Sequence, residues 1–356
     1  MRSNVMLSTI ALLGALAASP LAAQSPGDLL VAAASEGNQS MLSELLASGT
    51  DPDAPDADGY LALVQAASNG HTDVVLLLLE AGADIGAAED EGWTAVHGAA
   101  WEGRLLTLRA LFDRGADPHA TTATGETALM HAAAEGHASV TRMLLDRGLD
   151  PDAQDDEGWT ALIAAAFEGH TRAVEALLDG GADTEISESN GWTPLMSAVA
   201  GDHEDMVELL IEHGADPAGA DNDGWTALSY AAVLDRREIV LILTPAVGSK
   251  HPTAMDALRM AARRGKEEAV EALLESGVDP DFQNKAGVTP LMGAAVEGHD
   301  HVVELLLEAG ADPLVEDADG WTAMDFARNA GNRLITVQLG KAEGKWDKTR
   351  LLARGN

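Results

Sequence analysis

The chain has 356 residues and carries 58 Asp and Glu against 22 Lys and Arg, a formal charge of −36. Such a surface repels phosphate backbones and anionic headgroups, which argues against nucleic-acid and membrane partners; the absence of cysteine excludes disulfides, thiolate nucleophiles and Cys-type zinc sites. Apolar residues make up 46% but aromatics only 4%, so the core must be built from Ala, Leu and Val in repetitive contacts.

Arg2 opens a short positive segment, an apolar run follows from Val5 to Ala18, and Pro20 and the pair Ala22-Ala23 precede Gln24. This is the layout of a secretory signal peptide over residues 1–23, cleaved after Ala23. The apolar run is too short for a bilayer span. The expected mature chain is exported, to the periplasm of a bacterium or beyond the cell. Without Arg2 it has 58 acidic and 21 basic residues, a charge of −37.

Downstream of the leader a period takes over. Glycine followed by Trp-Thr or a close variant recurs at Gly59, Gly92, Gly125, Gly158, Gly191 and Gly224, always 33 residues apart, and again at Gly287 and Gly320. Filling the gap with a marker at Ala254 and adding an N-terminal repeat gives ten repeats, starting near 26, 59, 92, 125, 158, 191, 224, 254, 287 and 320. Small pairs such as Ala66-Ala67 and Ala132-Ala133 follow eight of the ten markers by seven and eight residues, which lets helices approach closely. A turn glycine comes next (Gly70, Gly103, Gly136, Gly169), then a second helix with paired leucines such as Leu78-Leu79 and Leu177-Leu178. Gly-Ala-Asp or a relative ends that helix, with glycine in the left-handed position beyond its last turn. Each repeat therefore reads helix, turn, helix and an Asp-rich extended finger.

The period and these columns resemble the ankyrin repeat family. The segment GWTPLMSAVAGDHEDMVELLIEHGADP, from Gly191 to Pro217, is close to a complete family repeat, and the segments from Gly125 and Gly287 are similar. The resemblance covers residues 26 to 340 and implies an all-α repeat solenoid, a curved stack of helix pairs with β-turn fingers along one edge. Pro26 replaces the first marker and Gly340 replaces the second leucine of the last repeat, as terminal caps would. Thr244-Pro245 and Pro252 replace the usual helix ending after the seventh repeat, which reads as a shortened finger and a candidate break at 244–253. Residues 341–356 form a basic tail, with five basic and two acidic residues around Trp346. Folded back, it would be a ligand for the acidic groove; frayed, it would do nothing.

No segment remains for a catalytic domain, and neither a G-x-S-x-G elbow nor a phosphate loop is present. We expect no enzyme, no catalytic residues, no cofactor and no dedicated metal site. His71, His137, His170, His203 and His299 share one column, but equivalent atoms roughly 10 Å apart cannot meet on one metal. The resemblance implies instead that this histidine braces the turn between helices. Asp51, Asp53, Asp56, Asp58, Asp221 and Asp223 lack the spacing of a calcium loop, and in ankyrins such residues shape the finger; weak calcium binding stays open.

The aromatics carry the functional signal. Tyr60, Trp93, Trp159, Trp192, Trp225 and Trp321 directly follow a marker, and Trp101 and Phe167 lie nine residues after one, so 8 of 13 aromatics fall in two columns. The resemblance places both columns on the finger and inner-helix side, the concave surface with which ankyrin proteins grip partners. Trp159, Trp192 and Trp225 would form a ladder with a rung roughly every 10 Å. Glu102, Glu135, Glu168 and Glu297 share the next column, and aromatic faces beside carboxylates suit Lys or Arg side chains. A binding role and simple packing on the neighbouring finger both fit the tryptophans, just as solubility and a basic partner both fit the charge. The expected function is a non-catalytic, monomeric protein–protein interaction scaffold, binding through Tyr60, Trp93, Trp101, Glu102, Trp159, Phe167, Glu168, Trp192, Trp225 and Trp321. The alternative is a chaperone-like or stress-protective factor for exported proteins, distinguished by many weakly held clients.

Overall fold

The computed structural model describes residues 25–353, with side chains through Gly344; the expected signal peptide and the side chains around Trp346 lie outside the described residues. The chain divides into two compact units, one ending at Asp117 and the other beginning at Pro118. The first holds α1 (Pro26–Ser35), α2 (Gln39–Ala47), α3 (Ala62–Ser68), α4 (Thr72–Glu80), α5 (Ala95–Trp101) and α6 (Leu105–Asp113). The second holds α7 (Ala128–Ala134), α8 (Ala138–Asp146), α9 (Ala161–Glu168), α10 (Thr171–Asp179), α11 (Pro194–Gly201), α12 (Glu204–Glu212), α13 (Ala227–Leu234), α14 (Arg237–Val247), α15 (Pro252–Arg264), α16 (Glu267–Glu275), α17 (Pro290–Glu297), α18 (Asp300–Glu308), α19 (Ala323–Ala330) and α20 (Arg333–Ala353). Each expected repeat supplies one inner helix, with an odd number, and one outer helix. Among the described residues there is no strand, only isolated antiparallel bridges in the fingers, such as Ala220 with Thr226. Within each unit the fold is an all-α repeat solenoid.

Local chemistry explains the repeat. Where Thr follows the marker aromatic it caps the inner helix: Thr160 Oγ1 accepts the Ile163 N–H at 3.2 Å and Thr193 Oγ1 that of Met196 at 3.3 Å. The alanine pairs are no more than 1% exposed, so inner helices lie against one another, α3 on α5 and α9 on α11. In the leucine pairs that begin at Leu78, Leu144, Leu177, Leu273 and Leu306 the first is fully buried, whereas the second is half-buried. One leucine therefore fills the core between layers and its neighbour covers the flank. Beyond α4, Gly82 takes φ +97° while the Ala83 N–H returns to the Leu78 carbonyl at 3.0 Å, a left-handed helix ending that a Cβ would strain.

The chain between repeats seven and eight differs from its neighbours. Pro245 lies inside α14, which runs on to Val247; Thr244 donates its hydroxyl to the Val240 carbonyl at 2.7 Å in the same turn. No finger follows, because only four residues separate α14 from α15, whose 13 residues begin two before the inferred marker at Ala254. The stack continues across this join: α13 packs on α15, α14 on α16, and Arg237 reaches Glu271 at 2.9 Å and Glu275 at 2.7 Å. At the other end, residues 341–353 continue α20 as helix.

Burial also sets a pH response in the first unit. Glu89 accepts the Leu61 N–H at 2.8 Å and the Gln65 amide at 3.2 Å, yet burial pushes its carboxyl above the usual glutamate range. The folded chain then holds this proton more tightly than the unfolded chain does. Its contribution makes stability rise as pH falls from neutral through the raised pKa, levelling off below the ordinary value. Glu89→Gln keeps an acceptor for Leu61, so thermal unfolding of this variant should show a shallower dependence of Tm on pH between neutral and acid. A profile as steep as that of the parent chain contradicts this origin.

Candidate binding surface on the fingers and inner helices

The finger turn is built by its acidic residue. Asp155 Oδ1 accepts the backbone N–H groups of Glu157 at 2.9 Å and Trp159 at 2.8 Å, while its own N–H donates to the Trp159 carbonyl. The pattern repeats at Asp56 with Tyr60, at Asp221 with Trp225 and at Asp317 with Trp321. A second set of carboxylates ties one finger to the next: Asp53 accepts the Asp84 N–H, Asp152 that of Asp183, and Glu185 that of Asp216. These acids are staples for backbone donors. The same role accounts for the acidic fingers without an ion, and among the described residues no group of three or more His, Asp or Glu side chains is placed to hold a metal.

Three histidines of the shared column are likewise structural. His71 Nε2 lies 3.0 Å from the Ser35 carbonyl, His203 Nε2 3.0 Å from that of Phe167, and His299 Nε2 3.1 Å from that of Arg263. A carbonyl only accepts, so Nε2 carries the proton, and each ring pins the end of the preceding inner helix.

Holding the finger fixes the aromatic beside it. Trp93 folds onto α5, with ring centroids 5.7 Å from His97 and 6.0 Å from Trp101. Trp159 meets Phe167 on α9 edge-on at 6.3 Å, and Trp321 meets Phe326 on α19 at 5.5 Å. Edge-to-face and tilted pairs of this kind add to plain burial. Both aromatic columns thus stand on the finger and inner-helix side. Trp93, Trp101, Trp159, Phe167, Trp192 and Trp225 are half-buried, whereas Tyr60 and Trp321 are 45% and 40% exposed. In the acidic column Glu168 is exposed, Glu102 lies 3.5 Å from Arg104, and Glu297 lies 3.1 Å from Arg263.

At repeats six and seven the arrangement changes. Trp192 reaches forward to Tyr230 on α13, 4.8 Å between centroids, and Trp225 packs on the same ring at 5.3 Å. Trp192 Nε1 donates to the Tyr230 hydroxyl at 3.1 Å, which in turn donates to Asp221 Oδ2. Asp221, only 8% exposed, also accepts the Asp223 and Trp225 N–H groups on Oδ1. Burial, and then the bond to Asp221, push the Tyr230 phenol up to about 12, so it stays a donor. Two tryptophans, a tyrosine and a carboxylate are therefore locked into one cluster that spans two repeats. Sequence reading by columns passed over Tyr230 and Phe326; both stand six residues after a marker, where the other repeats carry Gln, Gly, His, Ala, Ser or Met.

The fold and this surface define a helical repeat protein that presents rigid aromatic and acidic side chains along its inner helices. The family model for ankyrin repeats (3 copies) matches residues 29–122, 115–188, 175–256 and 258–340, and the chain belongs to the ankyrin repeat family. Ankyrin repeats serve in general as protein–protein interaction modules and are typically non-catalytic. Among curated proteins none matches the chain. No helix among the described residues is long and apolar enough to cross a membrane.

Proposed function

We propose that this protein is an exported, non-catalytic scaffold that holds a protein partner against the aromatic and acidic side chains of its fingers and inner helices. The supporting observation is the cluster in which Trp192, Trp225, Tyr230 and Asp221 fix one another while the indoles stay half-exposed. Rings held this way lose little freedom on binding, so more of their contact energy appears as affinity. Trp159 with Phe167 and the exposed Glu168 extend the surface by one repeat. The acidic column and the charge of −36 favour a basic partner.

The test is affinity capture from periplasmic extract at two salt concentrations, comparing the chain with a variant in which Trp159, Trp192 and Trp225 are alanine. One stoichiometric partner lost in the variant supports the scaffold; many weakly held clients would indicate the chaperone-like role instead. Export is checked separately: the mature N-terminus should be Gln24, and a secreted or periplasmic form that retains Arg2 contradicts the leader.

A further inference from the structure

Arg264, the last residue of α15, sits with its guanidinium carbon 5.3 Å from the centroid of the Trp225 ring. In a chain with 58 carboxylates this is an unusual choice of neighbour. The other arginines of α15 have carboxylate partners, Arg259 with Asp256 at 3.1 Å and Arg263 with Glu297 at 3.1 Å. Arg264 has none among the described residues within ion-pair distance and rests on the indole instead. It also reverses a column: ten residues after the marker, other repeats place Glu102, Glu135, Glu168 and Glu297. The Arg264 side chain is exposed and Trp225 is half-buried, so the contact lies at the surface.

We propose that the Trp192–Tyr230–Trp225 cluster is a receptor for an arginine side chain of the protein partner, and that Arg264 is its resident occupant, displaced when that guanidinium arrives. This deepens the binding role proposed above and rests on it. A contact the chain makes with its own guanidinium shows that the ring face fits this group. Exposed cation–π contacts are weak enough to exchange. The negative charges of Asp221 and Asp223 both act on Tyr230 and favour a cation over the rings. The hydrogen-bond chain from Trp192 through Tyr230 to Asp221 holds the rings in place whichever guanidinium is present. A planar guanidinium stacks on an indole better than a compact ammonium does, so the site favours arginine over lysine.

The experiment titrates the full mature chain with a twelve-residue Gly-Ser-Arg repeat peptide and with its lysine counterpart, following heat and the indole N–H resonances. Arg264→Ala should bind the arginine peptide about threefold to tenfold more tightly, because the internal competitor is gone. Trp225→Ala should bind it more weakly, and Arg264→Ala should then have no effect in the Trp225→Ala background. Trp225→Phe keeps a ring, so its intermediate affinity separates loss of the site from loss of the fold. Unchanged or weaker binding by Arg264→Ala overturns the proposal. So does an equal gain with and without Trp225, which would be a general charge effect. If Trp225→Ala loses the peptide while Arg264→Ala changes nothing, the resident role fails and the binding surface stands. If neither the peptide nor the captured partner responds to the tryptophans, both fail.

Discussion

Replacing Trp159, Trp192 and Trp225 together with alanine is expected to abolish partner capture while leaving cooperative unfolding in place. Aromatic anchors of an interface are each worth about 2 kcal/mol or more on truncation, so losing two that contact the partner weakens binding by about three orders of magnitude. The effect on folding is smaller. The alanine pairs and first leucines that join the layers are untouched, and half-buried rings surrender only part of the roughly 1.5–3 kcal/mol of a fully buried apolar side chain. Trp192 carries an additional term, the hydrogen bond to Tyr230, worth about 1 kcal/mol. Urea unfolding should therefore show a lowered midpoint with a single transition, and capture should vanish well inside the folded range. Undiminished capture would reduce the indoles to packing groups.

The second large effect is on stability. Gly169 ends α9 with φ +78°, and a Cβ there would fall 2.4 Å from His203 Cε1, the ring that pins the Phe167 carbonyl. Gly169→Val combines left-handed strain in a β-branched residue with displacement of that ring and loss of its hydrogen bond. The expected cost is about 2–4 kcal/mol. Gly181 is the internal control: its φ is +91°, but nothing lies within 4 Å of an added Cβ, so Gly181→Val should cost only the strain, about 1–2 kcal/mol. Denaturant unfolding of the two variants side by side separates backbone strain from the collision between repeats. Equal losses would mean that His203 yields freely and does not brace the stack.

The fold was legible because every column of the repeat has its own physical duty. Glycine at Gly82 and Gly169 answers a positive φ, Ala165-Ala166 a close helix contact, and Leu177 a slot in the core. Spacing exposes such duties directly. The join after repeat seven was legible only in part: Thr244-Pro245 and Pro252 announced a shortened finger, but Pro245 did not end α14, which runs two residues further. The candidate surface was legible as columns and illegible as contacts. Trp192 and Tyr230 are 38 residues apart, and their meeting depends on side-chain rotation across two repeats. Nothing in the spacing separates an indole that folds onto its own helix, as Trp159 does, from one that reaches forward. Arg264 was hidden for the same reason, whereas the finger-shaping role that the resemblance implied for the acids is seen in their oxygens on backbone N–H groups.

The proposed function seats a partner on these indoles. Indole N–H resonances of the isotopically labelled chain, recorded with and without the purified captured partner at equimolar concentration, test it most directly. The signals of Trp159, Trp192 and Trp225 should shift and lose solvent exchange on complex formation, with Trp192 affected although its donor bond to Tyr230 is already made. A stoichiometric complex in which all three resonances stay where they were would place the partner elsewhere on the chain and rule out binding through the indoles.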